Sequence, residues 1–254
     1  MPVPLLTETI RALSRAEHAA QVIARKAGRP QPYGPPDRRW WRYPDEDYIQ
    51  AIAVKAVRAV SGLYACLELL HAGHTIEIGV LLRTVDDFTD EVTFLLDAHQ
   101  TGKPTRAQKN FVEQFFREEV GPPADLLKDR PGPDRARRKD IRAAQGRYLS
   151  KENPDRMRRL AMAVDRTFDG YVHGAYPHSM ELYDPNRSGG FRMQGTNGTP
   201  YPATYQRQVA FYVSRIMSVL ADVCLRVGEK GLADELVERR RRYEAGAEYP
   251  QVDE

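Results

Sequence analysis

Apolar residues recur every three or four positions along most of the chain, which is the spacing of an amphipathic helix. The clearest stripe consists of Ile78, Leu81, Val85, Phe88, Val92 and Leu95. It predicts a helix over about 75–98, and similar stripes predict helices over about 6–27, 45–71, 105–118, 134–148, 203–227 and 230–244. Pro154 opens one further helix, because proline is favoured in a first turn. We therefore predict an all-α fold, a multi-helix bundle.

The helical pattern is interrupted in two places. Residues 28–36 contain four prolines and two glycines, which break the chain after the first helix. After Pro177, two short apolar runs flank the turn-rich segment 184–190, which predicts a small β-hairpin or an irregular loop insertion near residues 178–202. The predicted divisions are an N-terminal helix with a Pro/Gly-rich linker (1–44), the main helical domain (45–228), and a C-terminal polar helix with a tail (229–254).

The composition is typical of a soluble globular protein. Of the 254 residues, 41% are hydrophobic and 29% are charged. No apolar run approaches the roughly 18 residues needed to span a bilayer, and the first residues lack the pattern of a signal peptide. Cys66 and Cys224 lie in apolar helical stretches, which favours reduced core cysteines. We predict a cytoplasmic protein that does not associate with membranes.

The charges are distributed unevenly, although the net charge is only +3. Residues 128–166 contain 13 Lys or Arg against six Asp or Glu, whereas residues 75–97 contain six acidic residues and one basic residue, Arg83. An anionic partner at the basic end explains this asymmetry. Docking of the basic helix on the acidic one, within one chain or across a dimer, explains it equally well.

Arg166 and His173 are the residues that best suit chemistry. Seven residues apart on a helix, they project within roughly 20° of each other, and Arg159 lies on the same ridge. An arginine can bind a phosphate with two hydrogen bonds, and a histidine can transfer protons near neutral pH. We predict that this ridge lies opposite a buried stripe formed by Met157, Leu160, Val164, Phe168 and Tyr171. The alternative is a solvated basic face without catalytic function.

Two glycines flank His173, although a glycine inside a helix costs about 1 kcal/mol. Gly170 and Gly174 are explained if another backbone or a ligand approaches closely, or if the helix ends before Pro177.

Two other groups of polar residues allow alternative interpretations. Glu68, His71 and His74 have the spacing of metal ligands, but a metal site in a bundle needs a second such motif. We interpret His74 or Thr75 as a cap of the third helix. Arg83 and Asp87 are spaced i,i+4, which favours either an ordinary ion pair or an inward-facing Arg83 that orients catalytic groups.

Three segments together resemble the HEPN superfamily of small helical domains. They are Leu81-Leu-Arg-Thr-Val-Asp-Asp-Phe88, Tyr148-Leu-Ser150, and the stretch from Arg166 to His173-Gly-Ala-Tyr176. The HEPN motif is an Arg followed after four to six residues by a His on a late helix, and six residues separate Arg166 from His173. The resemblance extends over about residues 45–227.

The resemblance implies a metal-independent endoribonuclease, commonly of toxin–antitoxin or antiviral defence systems. It implies no cofactor, RNA as the partner, an antitoxin or regulatory protein as a second partner, and a homodimer in which two Arg/His pairs meet at a groove. By motif match, Arg166 and His173 are the catalytic residues. We add Arg83 and Asp169 to the catalytic candidates on physical grounds.

The chemistry follows from these groups. A ribose 2′-hydroxyl attacks the adjacent phosphate, His173 acts as general base or general acid, and Arg166 stabilises charge on the phosphorane. The basic segment would hold the RNA backbone, with Arg137, Arg138, Lys139, Arg142 and Arg159 as the predicted RNA-binding residues. Since some HEPN proteins lack activity, a non-catalytic helical binding or regulatory module is the alternative function.

Overall fold

The structure, a computed structural model, describes residues 3–34, 36, 39–117 and 137–246. Within these ranges it contains nine α-helices, one 3₁₀ turn and one two-stranded sheet. In chain order the elements are α1 (Val3–Lys26), β1 (Gln31–Tyr33), β2 (Trp40–Arg42), α2 (Tyr48–Ala72), α3 (Thr75–Thr101), α4 (Arg106–Phe116), α5 (Arg138–Leu149), α6 (Pro154–Val172), α7 (Tyr176–Ser179), the 3₁₀ turn (Met180–Leu182), α8 (Tyr201–Arg226) and α9 (Lys230–Gly246). The predicted all-α bundle is confirmed.

Local signals explain where several helices begin and end. Asp47 caps α2 by accepting a hydrogen bond from the backbone of Ile49, and Gln50 completes a capping box. Gly73 ends α2 with φ 84°, a conformation that glycine adopts without strain. Asn153 caps α6, and the Pro154 that follows occupies the first turn, as the sequence predicts.

One continuous core joins the helices at both ends of the chain to the central ones. Helices α2 and α3 pack together along their length, and α8 packs against α1, α2, α3 and α9. Across this core, the hydroxyl groups of Thr9 in α1 and Tyr243 in α9 are 2.8 Å apart. Helices α1 and α9, which the predicted divisions placed outside the main domain, therefore share the core of the helices between them.

Helix α8 is the one described helix that is long and apolar enough to cross a membrane. In this fold 67% of its most apolar window is buried inside the protein. Its fully buried residues, Val209, Val213, Ile216 and Leu220, contact neighbouring helices. The apolar character of α8 is thus explained by its central position in a globular bundle.

The small hairpin lies at 31–42, where β1 and β2 pair antiparallel within the segment predicted as a linker. Two alternatives were predicted for the segment 178–202, a small β-hairpin or an irregular loop. The structure has the irregular loop, with a single bridge between Tyr183 and Phe191. Thr196 attaches this segment to the start of α3, because its hydroxyl lies 2.9 Å from that of Thr75. The Thr75 hydroxyl thus contacts Thr196, and His74 stands at the N-cap position of α3 without a capping side-chain hydrogen bond.

The buried face of α6 differs from the predicted stripe. Leu160 and Val164 are 51% and 39% exposed, so their assignment to the core was wrong. The buried positions are Ala161, Asp165, Phe168 and Tyr171. The helix is turned because Asp165 forms ion pairs in the interior, and this polar requirement outweighs the burial of two aliphatic side chains.

Candidate active site on helix α6

An ion cluster beneath α6 holds four helices together. It contains four arginines, Arg83, Arg138, Arg142 and Arg215, and five aspartates, Asp86, Asp87, Asp90, Asp165 and Asp169. These residues belong to α3, α5, α6 and α8. Oppositely charged segments of the sequence therefore meet inside one chain, which is one of the alternatives that the charge asymmetry left open.

Arg142 occupies the centre of this cluster. Its Nε donates to Asp165 at 2.7 Å, its Nη2 donates to Asp86 at 3.1 Å, and its Nη1 donates to Gln145 at 2.7 Å. The side chain is only 3% exposed. Since a buried guanidinium surrounded by carboxylates is not accessible to a phosphate backbone, the structure places Arg142 in the interior and not at a surface that could contact RNA.

The charges of the cluster affect the pKa of Asp86. Burial would raise the pKa of this carboxyl, but the charges of Arg215 and Arg142 and their hydrogen bonds outweigh burial, so its pKa lies below the usual value. Tyr212 also donates a hydrogen bond to Asp86, at 3.2 Å. Asp86 is therefore ionised and fully hydrogen-bonded at neutral pH.

Arg83 links the cluster to the surface of α6. Its Nε donates to Asp169 at 2.6 Å, and its Nη1 lies 2.5 Å from Asp87. The sequence left an ordinary ion pair with Asp87 and an inward-facing Arg83 as alternatives; the structure contains the ion pair and buries Arg83. Asp169 is half-exposed and shares Arg83 as an ion-pair partner with Asp87.

Arg166 and His173 lie in solvent on the outer face of α6. Both are exposed, and His173 is the residue that ends the helix. Their Cα atoms are about 10 Å apart, from a rise of about 1.5 Å per residue. Among the residues that the structure describes, neither side chain has a hydrogen-bond or ion-pair partner. Asp169 lies between them along the helix and accepts a hydrogen bond from Arg83.

The two glycines that flank His173 are required for different structural reasons. Gly174 has φ 61° and reverses the chain at the end of α6. Gly170 is covered by the imidazole of His178, because a Cβ at residue 170 would lie 2.5 Å from its Cδ2 and Nε2 atoms. Another backbone or a ligand close to Gly170 was one expectation from the sequence, whereas the structure has a side chain of the same molecule there.

His178 belongs to a group of side chains that the sequence interpretation missed. Its Nδ1 lies 3.5 Å from Glu181, and its ring stacks on Tyr171 with 3.8 Å between the ring centroids. Glu181 accepts hydrogen bonds from the hydroxyls of Tyr171 and Tyr205, both at 2.9 Å. The His-x-x-Glu spacing in the segment after Pro177 is a sequence signal that could have identified this group.

The other predicted RNA-binding residues lie at the surface. Arg137, Lys139 and Arg159 are exposed. Arg138 is half-exposed, but its guanidinium pairs with Asp87 and lies 3.4 Å from Asp165.

Within residues 3–34, 36, 39–117 and 137–246, no group of three or more His, Cys, Asp or Glu side chains has an arrangement that could hold a metal ion.

A half-open apolar cleft of about 430 Å³ lies elsewhere, between the hairpin, α2 and α4. Its lining includes Trp41, Val57 and Phe115, together with two arginines, Arg42 and Arg58. Among the described residues, no carboxylate or imidazole lines this cleft. We therefore place the candidate site on α6, where groups suited to proton transfer are present.

Comparison of the chain with known protein families, with curated proteins and with solved structures found no match in any of the three.

Proposed function

We propose that the protein is a metal-independent endoribonuclease of the HEPN type that acts in the cytoplasm, in a toxin–antitoxin or antiviral defence setting. The observation that carries this proposal is the exposed face of α6, where Arg166 and His173 are both open to solvent. Within the described part of the chain, both side chains are free to bind a ligand. A guanidinium and an imidazole on one face suit phosphodiester cleavage.

The surrounding charges support binding of a nucleic acid. Asp169 would repel a phosphate, and its ion pair with Arg83 at 2.6 Å, which Arg83 shares with Asp87, reduces that repulsion. Arg159 extends the basic ridge, and Arg137 and Lys139 present further exposed cations on α5. Such cations bind the phosphate backbone of RNA without reading its sequence. In this proposal Arg83 and Asp169 are positioning residues, and Arg166 and His173 contact the substrate.

The proposal includes a homodimer in which two copies of α6 lie near the two-fold axis, as in the family that the chain resembles. Met162 lies on the ridge between Arg159 and Arg166 and is half-exposed, and Tyr176 beyond His173 is largely exposed. Apolar side chains beside a catalytic face are typical of a surface that another protein covers. A second copy, or an antitoxin that blocks the site, fits this surface.

The ribonuclease activity can be tested with purified protein and a labelled single-stranded RNA in the presence of EDTA. We expect cleavage by the wild type and a loss of about 10²–10⁴-fold in His173→Ala, which is the usual contribution of a general acid or base. His71→Ala is the matched control, because His71 is an exposed histidine at the end of α2. RNA that is bound but not cut by the wild type would indicate the non-catalytic module instead.

A further inference from the structure

The imidazole of His178 lies on the same face of α6 as the two residues of the proposed site. Gly170 follows Arg166 by four residues and precedes His173 by three, so the three positions are neighbours on one helix surface. The Cδ2 and Nε2 atoms of His178 occupy the space that a side chain at residue 170 would fill. A second imidazole therefore covers Gly170, about one helical turn from both Arg166 and His173.

The orientation of this imidazole is defined by its contacts. Its ring stacks on Tyr171, with an angle of 31° between the ring planes, and its Nδ1 is 3.5 Å from Glu181. This distance is at the long limit of a hydrogen bond, and such bonds often shorten only when substrate is bound. Because a carboxylate can only accept, the bond requires the proton on Nδ1, which leaves Nε2 as a proton acceptor.

Glu181 is itself held in place by two phenol groups. Tyr171 and Tyr205 each donate a hydrogen bond to one of its two oxygens, at 2.9 Å. Burial, and then the hydrogen bond to Glu181, raise the pKa of Tyr171 to about 12, and burial also raises the pKa of Tyr205. Both phenols therefore remain donors throughout the neutral range, so that Glu181 keeps a fixed orientation towards His178.

Two glycines make this arrangement possible. Gly170 leaves room for His178, and Gly79 on α3 leaves room for the ring of Tyr171, which would lie 2.5 Å from a Cβ at residue 79. The His178 side chain is packed against the backbone of Gly170 and the ring of Tyr171 but remains 20% exposed, so part of the imidazole is accessible to solvent. A side chain that only filled space would not need a carboxylate with two dedicated donors.

We propose that His178 is a second catalytic imidazole of this site and that Glu181 is a positioning residue that acts through it. This inference rests on the proposed ribonuclease function. Nε2 of His178 removes the proton of the ribose 2′-hydroxyl as the O2′–P bond forms. The P–O5′ bond breaks, and protonated His173 donates its proton to the departing 5′-oxygen, while Arg166 binds the phosphate. The products are a 2′,3′-cyclic phosphate and a 5′-hydroxyl.

A modified substrate separates the two roles. In a dinucleotide with sulfur in place of the bridging 5′-oxygen, the leaving group is a thiolate. It needs no proton from a general acid, because thiols have a pKa of about 8.5. With the natural oxygen substrate, His178→Ala and His173→Ala are each expected to lose about 10²–10⁴-fold in activity. With the sulfur substrate, His173→Ala recovers activity near that of the wild type, whereas His178→Ala remains impaired.

A second variant displaces the imidazole without removing it. Gly170→Ala places a methyl group against the ring of His178 and is expected to lower kcat on the order of 10²-fold, which is the cost of misplacing a catalytic group. Gly231→Ala is the matched control, because Gly231 lies in helix α9 and a Cβ there meets no atom within 4 Å. Glu181→Gln should lower kcat with little change in KM, because Glu181 does not contact the substrate.

Each outcome decides a different point. Wild-type cleavage that is undiminished in both His178→Ala and Gly170→Ala would overturn the role of His178 and leave the ribonuclease assignment standing. Equal recovery of His178→Ala and His173→Ala on the sulfur substrate would overturn the assignment of His178 as the base. A wild type that cleaves neither substrate rejects the ribonuclease function and, with it, this inference. Should His178→Ala fail to fold, as judged by circular dichroism, Gly170→Ala still provides the test.

Discussion

Asp86 and Arg142 form part of a buried ionic cluster whose residues depend on one another. Removing one member leaves the others as uncompensated charges in the interior, which costs far more than an exposed ion pair contributes. Arg142 donates to Asp165, Asp86 and Gln145 from a side chain that is almost fully buried. The cluster therefore makes the attachment of α5 and α6 to α3 depend on a few side chains.

Arg142→Ala should lower the free energy of unfolding by about 3–5 kcal/mol, because Asp165 loses the partner that binds both of its oxygens and Asp86 loses one of its two arginines. Lys139→Ala, on the exposed face of the same helix, should change it by less than about 0.5 kcal/mol. Urea denaturation followed by circular dichroism measures both. Equal stability of the two variants would contradict the buried cluster.

Acid should weaken the same cluster. Because the pKa of Asp86 in the folded protein lies below its unfolded value of 3.8, its contribution to stability is fully present above about pH 4. That contribution is lost as the pH falls below 3.8 through the folded-state pKa. The free energy of unfolding of the wild type should thus decrease more steeply than that of Asp86→Asn as the pH falls below about 4. Parallel pH dependence of the two proteins would show that Asp86 does not titrate in this way.

At the scale of helices, the contact between α3 and α6 depends on the absence of a side chain at residue 79. The ring of Tyr171 packs directly on the backbone of Gly79. Tyr171 in turn contacts Phe168, Tyr205 and His178 through its ring. The packing of α3 against α6 and the placement of the proposed catalytic imidazole are therefore coupled.

Gly79→Ala should destabilise the protein by about 1–3 kcal/mol through overpacking, although alanine is the better helix former. Gly231→Ala, in an open position of helix α9, should instead stabilise it by about 0.5–1 kcal/mol. Thermal unfolding compares the two, and their shifts in Tm should have opposite signs. A Tm gain in both variants would show that Tyr171 moves aside without cost.

Helix positions could be predicted because their determinants are local. The apolar period, the capping residues Asp47 and Thr105, and Gly73 and Gly102 at helix ends all act within a few residues. The orientation of α6 could not be predicted in the same way. Its buried face depends on Asp165, whose partner Arg142 lies on another helix, and periodicity contains no information about that pairing.

The candidate site could likewise be predicted only where its residues share one helix. Arg166 and His173 share one helix, so the spacing alone brings them to one face. His178 reaches that face only because the chain reverses at Gly174, and Tyr205, which donates a hydrogen bond to the Glu181 that faces His178, is on α8. Arg83 and Asp169 could be named from the sequence as charged residues near the site, but their contact at 2.6 Å depends on how α3 and α6 pack.

At the scale of the whole molecule, the remaining prediction concerns the homodimer. The proposed catalytic face contains the half-exposed Met162 between two arginines, so covering that face buries apolar area and brings two basic ridges close together. RNA bound across both ridges would offset their mutual repulsion, which makes association stronger in the presence of substrate.

Light scattering at micromolar concentration should give a mass of twice 28.9 kDa for the wild type. Met162→Lys should give the monomer mass with an unchanged circular dichroism spectrum, because the side chain is exposed in one chain and a further cation beside Arg159 and Arg166 adds to the repulsion between the two ridges. Leu225→Lys is the matched control on α8 and should remain dimeric. If His178 completes the set of catalytic groups within each chain, the Met162→Lys monomer should still cleave a dinucleotide while binding long RNA more weakly, since it contacts fewer phosphates. A wild type that is monomeric with and without RNA would reject the dimer.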